Sequence, residues 1–92
     1  MGTPLGIAYT KAALKGLAEV EPKKVRLQIK SRIDSLSQNP KPPGCAKLVG
    51  ANDADLNEVY RVRQGDHRII YRIDGESEIV VLDIGHRKDI YR

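Results

Sequence analysis

The sequence contains no phenylalanine and no tryptophan, a single cysteine and only two histidines. A chain of 92 residues therefore has to build its core from Ile, Val, Leu, Ala and its four tyrosines, which suffices for one small domain spanning 1–92. The lone Cys45 cannot form an internal disulfide, as expected in a reducing compartment. Two histidines and one cysteine do not make a metal site, so we expect no metal and no cofactor.

Long apolar runs are missing as well. No stretch is long enough to span a membrane, and the opening residues MGTPLG lack the basic and apolar segments of a secretion signal. A glycine-rich phosphate loop of the Walker type is also absent. These absences predict a soluble, cytoplasmic domain with no membrane partner.

Positive charge is in mild excess. The chain has 16 Lys and Arg against 12 Asp and Glu, a formal net charge of +4. In the second half of the sequence the arginines fall in stretches with strand character, whereas several acidic residues fall in turns. Guanidinium groups gathered on a sheet favour a polyanionic partner such as nucleic acid.

The first half of the chain predicts a strand followed by two helices. Residues 5–9 have strand character, and Thr10 can cap a helix over residues 10–21 whose apolar residues share one face. Pro22 suits the first turn of a second helix, in which four apolar residues recur at helical spacing: Val25, Ile29, Ile33 and Leu36. We expect the two helices to form an antiparallel hairpin that ends before Pro40.

The second half changes to an alternating pattern. Residues 39–57 are rich in proline and glycine, and we expect them to pack as an ordered loop with at most a short turn. From Val59 onwards apolar and polar residues alternate in two strands, and an apolar run from Ile79 to Ile84 indicates a third, covered strand. The predicted fold is therefore α+β: an N-terminal strand, the antiparallel helix hairpin and a three-stranded antiparallel meander, with the helices packed on one face of the sheet.

The alternation separates aromatic and apolar side chains from basic ones. Tyr60 and Val62 point to one face of the predicted sheet, and four arginines point to the other: Arg61, Arg63, Arg68 and Arg72. Neighbouring guanidinium groups repel one another without an anion, and together they could hold one phosphodiester. The alternative is a solvated face on which the arginines lie over apolar atoms such as those of Ile70.

The last residues of the chain add further chemistry beyond the third strand. Gly85 is followed by His86, Arg87, Lys88 and, three residues later, Tyr91. A tyrosine ring can stack on a nucleobase, and cations beside it can hold the phosphates, which is an arrangement typical of RNA binding. Histidine is the side chain that most readily exchanges a proton near neutral pH.

The segments EVYRVRQGDHRIIYRI and VVLDIGHRKDIYR resemble the RelE toxins of bacterial type II toxin–antitoxin pairs, within the RelE/ParE superfamily. The resemblance covers essentially the whole chain and implies a RelE-like fold, related to that of microbial ribonucleases. It implies an endoribonuclease that needs no metal and cuts translated mRNA in the ribosomal A site through attack of the 2′-hydroxyl, which inhibits translation. The implied partners are the ribosome, the mRNA and a RelB-like antitoxin that neutralises the toxin and carries the complex to operator DNA.

The resemblance also assigns roles to individual residues. Those expected to be catalytic are Arg61, Arg63, Arg68, His86, Arg87 and Tyr91. Those expected to bind RNA are Arg61, Arg63, Arg68, Arg72 and Lys88. The best-known members carry lysines where this chain has Arg61 and Arg63, and arginine is a poor general base. An enzyme with many cations and few acid–base groups needs the ribosome to align the attacking oxygen.

Two other functions remain open on the sequence. The ParE branch of the superfamily shares the fold and much of the G-H-R-x-D-x-Y ending, but it poisons DNA gyrase and cuts no RNA. A non-catalytic module could use the same basic face only to dock on nucleic acid or on an acidic partner. Codon-phased cuts in translated mRNA would indicate the RelE activity, and DNA damage with intact mRNA would indicate the ParE activity.

Overall fold

The computed structural model describes residues 5–52, 58–75 and 77–86 of the chain. Its elements, in chain order, are β1 (Gly6–Tyr9), α1 (Lys11–Ala18), α2 (Lys23–Leu36), β2 (Ala46–Asn52), β3 (Glu58–Gln64), β4 (His67–Asp74) and β5 (Glu78–His86). The strands form one sheet in the order β1-β5-β4-β3-β2, in which β1 is parallel to β5 and the other neighbours are antiparallel. The predicted α+β class is confirmed. Among these residues, no helix is both long and apolar enough to cross a membrane.

The helices cover one face of the sheet, as the alternation predicts. α1 packs mainly on β5, and α2 packs on β3 and β4. The shared core consists of Ala13, Val20, Ile29, Ile33, Leu36, Tyr60, Val62, Ile69, Tyr71, Ile79, Val81 and Ile84. Removing these side chains from water is the main favourable contribution to folding. Of the four apolar positions predicted for α2, only Val25 remains partly exposed.

Helix α1 is tied to β5 at two points. The Thr10 hydroxyl accepts a hydrogen bond from the Ala13 amide at 3.1 Å, which confirms the predicted cap, and it donates to the Leu82 carbonyl at 2.8 Å. One and a half turns later, Gly16 lies against the backbone of Ile84, where an added Cβ would overlap the carbonyl oxygen. Only glycine lets the helix approach the strand so closely.

The prediction of a loop over residues 39–57 is wrong for part of that segment. Residues 46–52 form β2, which extends the predicted three-stranded meander to four strands by pairing with β3. Ala46 is opposite Arg61 and Asn52 is opposite Glu58, with a shift of register between them. The sequence AKLVGAN has no regular alternation, so its strand conformation comes from pairing with the otherwise open edge of β3. Residues 53–57 lie outside the described residues.

Tyr71 holds the loop before β2 against the sheet. Its hydroxyl donates to the Pro40 carbonyl at 2.6 Å, and the Cys45 sulfur lies 3.1 Å from the same oxygen. Because the one hydroxyl proton goes to Pro40, the thiol acts as the donor in the second contact. Burial raises the pKa of Tyr71 far above the usual tyrosine value. Cys45 therefore has a structural partner.

Candidate nucleic-acid interface

The four arginines of β3 and β4 share the face of the sheet that the helices leave open. Arg63 is directly opposite Arg68 in the ladder, and Arg61 is opposite Ile70. Ile70 lies between Arg68 and Arg72 on β4, so Arg61 is the diagonal neighbour of both. Directly opposed residues have Cβ atoms about 5 Å apart, and diagonal ones lie roughly 7–8 Å apart. The register therefore puts the four arginines on one face of two neighbouring strands, and we call this set the arginine face: Arg61, Arg63, Arg68 and Arg72.

The arginine face is partly dehydrated. Arg68 is only 8% exposed, the most buried charged residue that the structure describes, whereas Arg63 is exposed. The Nε atoms of Arg61, Arg68 and Arg72 are buried, and the apolar residues between them, Val59, Ile70 and Val80, are at most 9% exposed. Charges with little water around them interact more strongly with one another and with an incoming anion. The arrangement stabilises a bound phosphate more than a fully solvated row of arginines would.

Acidic residues are displaced to the other end of this face. Asp74 and Glu78 are opposite each other where β4 ends and β5 begins, away from the Arg63–Arg68 pair. Next to Arg68 the partner strand carries Gly85, which has no side chain and leaves the backbone accessible. The positive charge is therefore concentrated at the end of the sheet where β5 terminates.

Of the acidic residues that the structure describes, Asp83 is the nearest to the arginine face by register, because it is opposite Ile70. Its carboxylate Oδ1 accepts a hydrogen bond from the Ile84 amide at 2.9 Å. Asp83 also lines the space between α1 and the end of β5.

His86 starts from the opposite face of the sheet. It is opposite His67, and the two imidazole rings meet edge to face with their centroids 5.6 Å apart. The next pair on the same face of these strands, Ile69 and Ile84, belongs to the core under the helices. The structure therefore brings the four arginines together and places His86 with His67 instead. The other expected site residues, Arg87, Lys88 and Tyr91, lie outside the described residues.

The His67–His86 pair was missed from the sequence although the signal was present. His67 already shares the tyrosine face by alternation along β4, and counting back from His86 to Ile84 places His86 on that same face. The cavity beside this pair, between α1 and the end of β5, had no such signal, because it depends on where β1 ends relative to β5.

A protein-family model and a known toxin each match nearly the whole chain. The family model described as the ParE toxin of the type II toxin–antitoxin system parDE matches residues 7–91. Toxin RelG of Mycobacterium tuberculosis is 29% identical over 90 residues, which cover 97% of this chain and 98% of that protein.

Solved structures show the same fold. The archaeal RelE–RelB complex from Pyrococcus horikoshii contains a chain that is 26% identical, with a TM-score of 0.75 over 95% of this chain and 99% of that one. The RelB–RelE antitoxin–toxin complex from Methanococcus jannaschii contains one that is 28% identical, with a TM-score of 0.67 over 91% and 94%. Both similar structures are complexes of a toxin with its antitoxin.

Proposed function

The chain belongs to the ParE toxin family, within the RelE/ParE superfamily of type II toxins, and from this premise we propose that it arrests growth by cutting mRNA on the ribosome. The observation that carries the proposal is the arginine face, with Arg63 directly opposite a largely buried Arg68. Such a set of neighbouring arginines can provide a binding site for one phosphodiester. The proposed reaction is A-site cleavage by an endoribonuclease that uses the 2′-hydroxyl of its own substrate.

The reaction needs groups that stabilise charge. The 2′-oxygen loses its proton and attacks phosphorus, the bond from phosphorus to the 5′-oxygen breaks, and the departing oxygen takes up a proton. Arg61, Arg63 and Arg68 would stabilise the extra negative charge on the pentacoordinate phosphorus, and Arg72 would hold a neighbouring phosphate. Preorganised donors of this kind are worth about 10²–10³-fold each. Arg87 and Tyr91 complete the proposed site on the strength of the family resemblance, with Lys88 as an RNA contact.

Proton transfer is the weaker part of the chemistry. Arginine keeps its proton, so the arginine face stabilises charge but supplies no base. His86 is the proposed proton carrier. It lies in the last described pair of β5, on the face opposite the arginines, so a substrate bound to the arginines would have to reach its ring around the end of the sheet. Cleavage of free RNA should therefore be slow. Alignment of the 2′-oxygen by the ribosome would supply the missing contribution.

A second candidate function is the poisoning of DNA gyrase, because the family model that matches the chain is the one for ParE toxins. The arginine face would then contact DNA or an acidic surface of the target without catalysis. The two similar archaeal structures favour an antitoxin as partner under both functions, because they are toxin–antitoxin complexes. We propose a RelB-like antitoxin that inhibits this chain in the cytoplasm and brings the complex to operator DNA.

Primer extension on translated mRNA after induction of the protein separates the two functions. Under the RelE-type proposal, cuts appear in phase with codons and disappear when translation is blocked, with chromosomal DNA intact. Arg68→Ala should remove the cuts, whereas Arg26→Ala on α2, which changes the same charge on the other side of the molecule, should leave them. Intact mRNA together with DNA damage would reject RNA cleavage in favour of gyrase poisoning.

A further inference from the structure

A cavity of about 560 Å³ lies between α1 and the end of β5, outside the arginine face. Its charged and polar lining comes from Lys15, Glu19, Glu21, His67, Asp83 and His86. The floor is apolar where Val20 and Ile84 are buried. The proposed catalytic chemistry uses only His86 of this set.

The cavity exists because β1 is shorter than the strand it pairs with. β1 ends at Tyr9, opposite Val81, whereas β5 continues to His86. In the described part of the chain, no strand lies along this edge of β5 beyond Val81. α1 approaches the edge at Gly16, which lies against Ile84. The described residues leave the cavity beside this contact unfilled.

The charges at the rim select the kind of ligand. Three carboxylates, those of Glu19, Glu21 and Asp83, face one ammonium group, that of Lys15. This local excess of negative charge contrasts with the formal net charge of +4 of the whole chain. It repels phosphate and attracts a cation.

The interior favours a planar cation on an aliphatic stem. The His67 and His86 rings offer aromatic surface, and Val20 and Ile84 offer apolar surface. The Nδ1 atom of His67 is buried and has no hydrogen-bond partner among the described residues. An incoming N–H donor would give this buried atom the hydrogen bond that it lacks. Guanidinium stacks on aromatic rings and binds carboxylates through two hydrogen bonds, so arginine fits this lining better than lysine.

We propose that this cavity binds an arginine side chain from an extended segment of the cognate antitoxin. The antitoxin is the source because the similar archaeal structures are toxin–antitoxin complexes. The inference rests on the proposed antitoxin partner and is independent of what the toxin cuts or poisons. Neutralising the two glutamates of the rim should therefore weaken antitoxin binding and leave the activity of the free toxin unchanged.

The first test measures antitoxin affinity for the full chain and for the double variant Glu19→Gln/Glu21→Gln. Both side chains are exposed, so we expect the variant to keep its melting temperature. Its affinity should fall by tenfold or more, with a weaker dependence on salt. Glu78→Gln, a neutralisation at the other end of β5, is the matched control and should change affinity by less than twofold. Equal affinities for the double variant and the control would overturn the proposal.

The second test uses a small probe in place of the antitoxin. Acetyl-arginine methylamide should shift the ring-proton NMR signals of His67 and His86, and the neutral citrulline analogue should not. Replacing one antitoxin arginine should abolish the difference in antitoxin affinity between the wild-type toxin and the double variant. Shifts of equal size with citrulline would reject a cation site. If the wild-type toxin produced no mRNA cuts, the proposed RNA cleavage would be rejected. The affinity and NMR results would still test the cavity, because they do not depend on RNA cleavage.

Discussion

At the scale of single residues, Arg68 is central to the proposed site because it is largely buried, opposes Arg63 and lies beside the open backbone of Gly85. We expect Arg68→Ala to abolish growth arrest and to lower ribosomal cleavage by about 10²-fold or more, the usual cost of losing a charge-stabilising donor. Arg68→Lys keeps the charge but loses the two-pronged contact, so its rate should be intermediate.

The matched comparison for Arg68→Ala is Arg26→Ala, a half-buried arginine on α2. Melting temperatures are needed for both, because a buried arginine stem also contributes packing. Arg87→Ala should abolish growth arrest as well if the family resemblance assigns it correctly. Full toxicity of both Arg68→Ala and Arg87→Ala at equal expression would show that the site is elsewhere.

His86 can be tested against its own neighbour. If His86 moves a proton in the reaction, His86→Gln lowers the single-turnover cleavage rate by about 10²-fold or more and removes the pH dependence of the rate near neutrality. His67→Gln changes the same kind of ring in the same pair and should leave the pH profile in place. An unchanged pH–rate profile in His86→Gln would exclude this histidine as the proton carrier. The His67–His86 pair would then contribute only to the cavity beside α1.

At the scale of secondary-structure elements, the contact between α1 and β5 depends on Gly16. Helix propensity alone predicts that Gly16→Ala stabilises the helix by about 1 kcal/mol. The new Cβ would instead overlap the Ile84 carbonyl, which is backbone and cannot rotate away. Overpacking of this kind costs about 1–3 kcal/mol. We therefore expect urea unfolding to show a net loss of stability.

Ala18→Gly is the control for the Gly16 experiment. Ala18 is exposed at the end of α1, so this change measures propensity without a packing contact. It should cost at most about 1 kcal/mol. If Gly16→Ala raises the free energy of unfolding while Ala18→Gly lowers it, propensity dominates and the close approach of α1 to β5 has been overestimated.

Tyr71 links the loop before β2 to the sheet, and its ionisation lowers the stability of the fold at alkaline pH. Its pKa is raised by burial, so the unfolded chain releases the phenolic proton first, from about pH 10 upwards. The folded state then binds more protons than the unfolded state, and stability falls as pH rises. Burial, and then the charge of Asp34, also raise the pKa of Tyr9, which adds to the same trend.

Tyr71→Phe tests this link by chemical denaturation at several pH values. At neutral pH the variant should lose about 1–3 kcal/mol, because the Pro40 carbonyl loses its donor inside the protein. Above pH 10 its stability should decline less steeply than that of wild type. If the free energy of unfolding fell equally steeply with pH in both proteins, Tyr71 would not be the cause of the loss of stability at alkaline pH.

At the scale of the whole molecule, a small core without Phe or Trp leaves room for stabilisation by a partner. An antitoxin present at about 100 times its dissociation constant adds roughly 2.7 kcal/mol by mass action. For a domain of this size that corresponds to an increase of the melting temperature of about 10–20 °C. Scanning calorimetry of the free toxin and of the complex measures it, and an unchanged melting temperature would argue against a tight complex.

Much of the arrangement could be predicted because period-two alternation is unambiguous in β3 and β4. It placed Tyr60 and Arg61 on opposite faces, and the ladder confirms this. β2 could not be predicted, because its sequence carries no alternation and its register shifts against β3. The separation of His86 from the arginines was predictable by parity along β5, whereas the cavity depends on strand lengths that only the folded sheet reveals.

The order of the strands has a consequence for when the toxin can become complete during synthesis. β1 is made first, yet its only neighbour in the described sheet is β5, which is made last: Gly6 pairs with Glu78 and Tyr9 with Val81. β5 in turn separates β1 from β4. A nascent chain therefore cannot finish its sheet until residues 78–86 have left the ribosome, because long-range pairing of this kind waits for both partners.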